Sequence, residues 1–170
     1  MKIFQFLLML SLSFPCFSKE ECDLKSIGVE ETASNIEKYF FAGTCHYRNK
    51  DYHLSVESWE KITVLPASTE YDEGLKISVL NNLGYMMFFG YGTNKNQNKA
   101  MQYWKDAILL GHYEAEYHLC HAYADSKQPT YELSKARTYC KKAHLIYKGM
   151  DEADQRILDD IDFYLGEING

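Results

Sequence analysis

Three groups of side chains have the types that chemistry would need. Ser58-Trp59-Glu60-Lys61 has the Ser-x-x-Lys spacing of acylating serine enzymes, in which a lysine helps to activate a serine nucleophile. That arrangement also needs a Ser-Asp-Asn and a Lys-Thr-Gly, and the chain has neither. Gly90-Tyr91-Gly92 with Lys95 offers the backbone N–H groups and ammonium of a phosphate loop. Such loops follow a strand and keep their glycines at fixed spacing. Here the preceding residues have a helical apolar period and the third glycine is missing, so the stretch is a turn. His118, Cys120 and His121, with His112 just before, carry donors that a metal would accept. On a helix their offsets point them in different directions, and no His-Glu-x-x-His occurs. Glu114 and Glu116 are simpler as a solvated helix start, where acidic groups suit the helix dipole. No nucleophile, base and oxyanion donor assemble into one constellation. The sequence therefore predicts a protein that is not an enzyme, with no metal and no cofactor.

The elements that would position these residues are helices. Over residues 79–111, apolar side chains at Val79, Leu80, Leu83, Met86, Met87 and Phe89 follow a helical period. Gly90 and Gly92 end that arm, since glycine takes positive φ without steric penalty. A second arm restarts near Asn96 and places Ala100, Tyr103, Trp104, Ala107 and Leu110 on one face, with Gly111 closing it. Small residues at Gly84 and Ala100 let the two backbones approach, with Trp104 and Tyr103 filling the space around them. A looser hairpin precedes it. Tyr39, Ala42, Gly43, His46 and Tyr47 lie on one arm; Ser55, Val56, Trp59 and Ile62 lie on the next, which Asp51-Tyr52 opens. Pro66 stops that helix, and residues 66–72 are the one long loop expected. A third hairpin keeps Leu119, Tyr123, Lys135-Ala136, Tyr139, Ala143 and Gly149 in register around a turn at 125–130. A final helix over 151–168 is apolar along Ile157, Leu158, Ile161, Tyr164 and Leu165 and acidic opposite.

Leu83-Gly84, Gly90-Tyr91-Gly92, Lys99-Ala100, Tyr103-Trp104, Ala107 and Gly111 together resemble the Sel-1-like repeat, a relative of the tetratricopeptide repeat. Met87 departs from it, standing where tyrosine is usual. The resemblance implies an all-α fold, a short right-handed α-α superhelix (solenoid) of about three helix pairs. The repeats would run approximately over 30–65, 79–114 and 115–150, with 151–168 as the C-terminal cap covering the last apolar surface. It also implies binding of a protein or peptide partner rather than chemistry. First-arm side chains not used between helices would line a concave groove: Phe40, Tyr47, Asn81, Tyr85, Phe88, Tyr117 and His121. Aromatic residues suit that role, giving large contact area at low entropic cost. The alternative is that several of them pack against the N-terminal segment or a neighbouring hairpin.

Residues 1–18 have a basic start at Lys2 and an apolar run over 3–14, too short to span a bilayer but the length of a signal-peptide core. Cleavage after Ser18 leaves a mature domain over 19–170 with no transmembrane helix; lipidation at Cys16 is the rival, and Ser13-Phe14-Pro15 fits it poorly. The protein is then periplasmic or secreted. The full chain carries a net charge of −6, which disfavours nucleic acid as a partner. Lys135, Arg137, Lys141 and Lys142 form a basic stretch expected to be a solvated face. Export leaves Cys22, Cys45, Cys120 and Cys140 in an oxidising compartment. Four cysteines allow three pairings, and the residues alone do not choose. The repeat resemblance implies Cys120–Cys140 across the third hairpin and Cys22–Cys45 at the N-terminal end. Small exported Sel-1-like proteins of bacteria include immunity proteins that neutralise secreted toxins and adaptors of envelope complexes. The competing readings are a cell-wall or β-lactam hydrolase built on the same repeat, and a secreted factor acting on a host.

Overall fold

The computed structural model describes residues 19–169. The signal peptide expected over 1–18, and Cys16 with it, lie outside the described residues. Among the described residues the protein is all-helical, with seven α-helices and no strand. These are α1 (Asn35–Arg48), α2 (Tyr52–Thr63), α3 (Glu70–Phe89), α4 (Gln97–Leu109), α5 (Glu114–Ala124), α6 (Leu133–Lys148) and α7 (Gln155–Asn169). Neighbours in sequence pack most closely, α1 with α2, α3 with α4 and α5 with α6, while α7 lies against α6 and α5. The first helices of the pairs also touch, α1 with α3 and α3 with α5. None of the described helices is long and apolar enough to cross a membrane.

Two of the pairs are locked in the same way. Trp104 is buried flat against Gly84, where an added Cβ would come within 2.5 Å of its Nε1. The indole N–H donates to the Asn81 carbonyl, one turn before that glycine, at 3.1 Å. In the first pair, Trp59 lies against Gly43 with the corresponding distance 2.6 Å, and its N–H donates to the Phe40 carbonyl at 3.3 Å. A side chain at either glycine would push the indole off the helix and break that hydrogen bond. The third pair places Cys120 and Cys140 at the seam, both buried and joined by a disulfide.

Helix α3 serves two cores. Val79, Leu83 and Met86 pack with Ile36, Val56, Trp59 and Ile62, whereas Met87 and Phe88 belong to the cluster built with Trp104, Leu119 and Ile161. A helix clasped on opposite sides buries most of its circumference, so its apolar residues do not confine themselves to one stripe. Its C-terminus ends at Gly90 in the left-handed region, φ 80°. Gly92, φ 67°, sits against the first turn of α2, where an added Cβ would come within 2.2 Å of the Tyr52 carbonyl carbon. The glycine turn of the second pair thus docks onto the first pair.

Two boundaries differ from the sequence reading. The loop expected over 66–72 is shorter, because α3 begins at Glu70. Thr69 caps it by accepting from the Asp72 N–H at 3.0 Å, and the Asp72 carboxylate accepts in return from the Ser68 N–H at 3.3 Å. Asp72 also accepts from the Ser34 hydroxyl, which caps α1, at 2.6 Å. The starts of α1 and α3 are therefore tied together. The final helix begins at Gln155 rather than 151: the Asp154 carboxylate accepts from the Arg156 N–H at 3.0 Å, a local bond that favours a helix start over helix continuation.

The segment before α1 is held to the end of that helix. Cys22 is bonded to Cys45. Arg48 pairs with Glu20 at 3.1 Å, Lys19 with Asp51, and the Glu20 N–H donates to Asn49. Both disulfides are the pairings implied by the repeat resemblance. The first ties the N-terminal segment to α1 and the second ties α5 to α6.

Candidate functional site

A groove of about 320 Å³ opens where α1, α3 and α5 meet. Each helix lines it with residues at helical spacing: Phe40, Thr44 and Tyr47 from α1; Asn81, Asn82, Tyr85 and Met86 from α3; Glu114 and His118 from α5. Trp59, reaching through from α2, completes the wall. Its rings are joined through Tyr52 and Tyr91, which stand beside it. Tyr47 stands 6.0 Å from Trp59 and 5.7 Å from Tyr52, Tyr52 stacks on Tyr91 at 5.1 Å, and Tyr91 lies 5.9 Å from Tyr85. No residue of 19–33 lines this groove, so the disulfide-tethered segment leaves it uncovered.

Polar groups are few, and two of them hold each other. Asn81 is almost wholly buried, and its side-chain N–H donates to Glu114 Oε2 at 3.2 Å. That contact ties α3 to α5 and holds a carboxylate at the groove. His118 stacks flat on Trp104, centroids 5.0 Å apart, with Tyr85 at 5.8 Å. Burial, reinforced by His121 and His112, lowers its pKa to about 3, so it is a neutral ring at physiological pH. Burial, with the neighbouring phenols Tyr47 and Tyr91, pushes Tyr85 up to about 12. No lysine or arginine lines the groove.

No family model, no curated protein and no solved structure matches this chain.

Of the residues expected there, Phe40, Tyr47, Asn81 and Tyr85 line it, Asn81 as part of the buried floor. Phe88, Tyr117 and His121 do not. Phe88 is fully buried, packed on Trp104 at 5.2 Å, because the second core takes that side of α3. The Tyr117 hydroxyl donates to Asp160 of α7 at 2.9 Å, and His121 packs on Tyr164 at 5.8 Å. Helix α7 docks on α5 and takes up that surface. The sequence reading missed Thr44, Trp59, Asn82, Met86, Glu114 and His118 as groove residues; of these, Glu114 and His118 bring in a third helix. Glu114 and His118 lie one helical turn apart, a spacing that marks a shared face.

The other candidate constellations are dispersed. The Ser58 hydroxyl donates to the Leu54 carbonyl at 2.8 Å, and Lys61 pairs with Glu57 at 2.9 Å. Lys61 also lies over the Tyr39 ring. Cys120 is in a disulfide while His118 and His121 pack on different rings, Trp104 and Tyr164. Among the described residues no group of three or more His, Cys, Asp or Glu is placed to hold a metal ion. In the basic stretch, Lys135 pairs with Glu132 at 2.7 Å, and Arg137 donates to the Ile168 carbonyl at 3.1 Å. Lys142 lies 3.7 Å from Glu116.

Proposed function

We propose that this chain is an exported, non-catalytic scaffold that binds a protein or peptide partner in the groove between α1, α3 and α5. In this reading it works in the periplasm or outside the cell, as an immunity protein or an adaptor. Its three helix pairs form a short right-handed superhelix of the Sel-1-like kind, closed by α7. The observation that carries the reading is the composition of the groove: rings from α1, α2, α3 and α5, with the Asn81 amide and the Glu114 carboxylate held against each other among them. Aromatic rings give large, rigid contact area, and amides and carboxylates at set positions give register to a bound backbone. The two disulfides support an oxidising location.

Selection of a random displayed peptide library on the protein, with both disulfides formed, tests the reading. Selected peptides should bind at least about tenfold more weakly to a Tyr47→Ala, Tyr85→Ala double variant whose helicity is unchanged. Peptides that bind both proteins equally would remove the groove from the account.

A further inference from the structure

The groove contains a charge that any occupant must answer. Glu114 is held there by Asn81, with the Tyr113 hydroxyl also beside it, and among the described residues it pairs with no lysine or arginine. A segment seated in the groove would strip water from that carboxylate. A purely apolar occupant would leave it buried and unpaired, which is costly. An acidic occupant would add repulsion. The surrounding Phe40, Tyr47 and Tyr85 rings present π faces that attract cations, and they also cover the apolar stem of a long side chain. His118 is neutral and offers no competing positive charge. The net charge of −6 adds long-range attraction for a basic partner.

We propose that the groove receives a lysine or arginine side chain from a basic segment of a partner protein. Its aliphatic stem lies among Phe40, Tyr47 and Tyr85, and its charged head meets Glu114. This rests on the groove being the peptide-binding site, and adds to it the chemistry of what is bound.

The test uses four capped pentapeptides, alanine throughout except for a central Arg, Lys, norleucine or Glu. Binding is followed by chemical-shift changes of the Trp59 indole N–H, with far-UV circular dichroism of every variant. The Arg and Lys peptides should bind about tenfold more tightly than the norleucine peptide, and the Glu peptide more weakly still. Added salt should weaken the Arg peptide and leave norleucine unaffected. In Glu114→Gln, which keeps an acceptor for Asn81, the preference for Arg over norleucine should fall to the few-fold that the rings alone supply. If norleucine matches Arg in the native protein, or if Glu114→Gln leaves the preference intact, the cation assignment is wrong while the groove stands. If none of the four peptides shifts the Trp59 signal, both readings fail. Should Glu114→Gln lose helicity, the salt dependence in the native protein still decides the matter.

Discussion

The second and third helix pairs solve one packing problem with different chemistry. Where α3 meets α4, a glycine makes room for an indole that fills the seam and donates to the α3 backbone. Where α5 meets α6, two cysteines bring the backbones to a Cα–Cα distance of 4.5 Å and bond covalently. The indole supplies bulk, and that bulk reaches further than its own pair: Trp104 is the surface on which both His118 and Phe88 rest. The disulfide supplies connection but little volume. All three pairs border the groove, through α1, α3 and α5, but on the disulfide pair only the Glu114 and His118 side of α5 does so, and the Tyr117 and His121 side is taken up by α7. A seam therefore decides how a pair is held and also what its exposed face has to rest on.

Breaking the tryptophan seam should have the largest effect. Trp104→Ala removes a fully buried ring and its hydrogen bond, and should cost about 4 kcal/mol in urea unfolding with the disulfides intact. Because His118 rests on that ring, the variant should also disturb the groove. Breaking the disulfide seam should cost somewhat less and stay more local. Replacing Cys120 and Cys140 by Ala, a sequence separation of 20, should lower stability by about 3 kcal/mol in the chain-entropy model. Peptide binding at the groove should survive. If the cysteine variant abolished binding and Trp104→Ala spared it, the contrast between the two seams would be reversed.

The smallest effect sharpens the comparison through pH. His118 binds protons less readily folded than unfolded, because burial lowers its pKa from 6.5 to about 3. The unfolded chain thus takes up more protons as pH falls below about 6.5. Stability is full above that pH and should fall below it by roughly 1.4 kcal/mol per pH unit for this group. His112 and His121, both lowered by burial, act in the same direction. His118→Phe keeps a ring against Trp104 and should flatten the acid slope, as read from urea midpoints between pH 7 and pH 5. An unchanged slope would mean that the imidazole is already charged in the folded protein.

The helices were legible because their apolar spacing is local, and Gly90 and Asn96 mark a stop and a start that the backbone needs. The cysteine pairing was legible only through the repeat resemblance, which implied Cys120–Cys140 across one hairpin and left Cys22 to Cys45. The outer surface was less legible. Phe88 looked exposed because α3 was treated as having one buried stripe, whereas it is clasped by two cores. A cap over 151–168 is expected from its apolar stripe, but nothing local says that it takes the face of α5 that carries Tyr117 and His121. Glu114 was read as an ordinary acidic helix start. Its place at the groove depends on Asn81, a contact from a distant part of the chain.

The most direct test of the account is where a selected peptide sits. Side-chain shift mapping of its complex should show the largest changes at Phe40, Tyr47, Trp59 and Tyr85, with little change at Phe163 and Tyr131, which line a separate hollow between α7 and the segment joining α5 to α6. Changes centred on Phe163 and Tyr131, with the α1–α3–α5 rings silent, would contradict it.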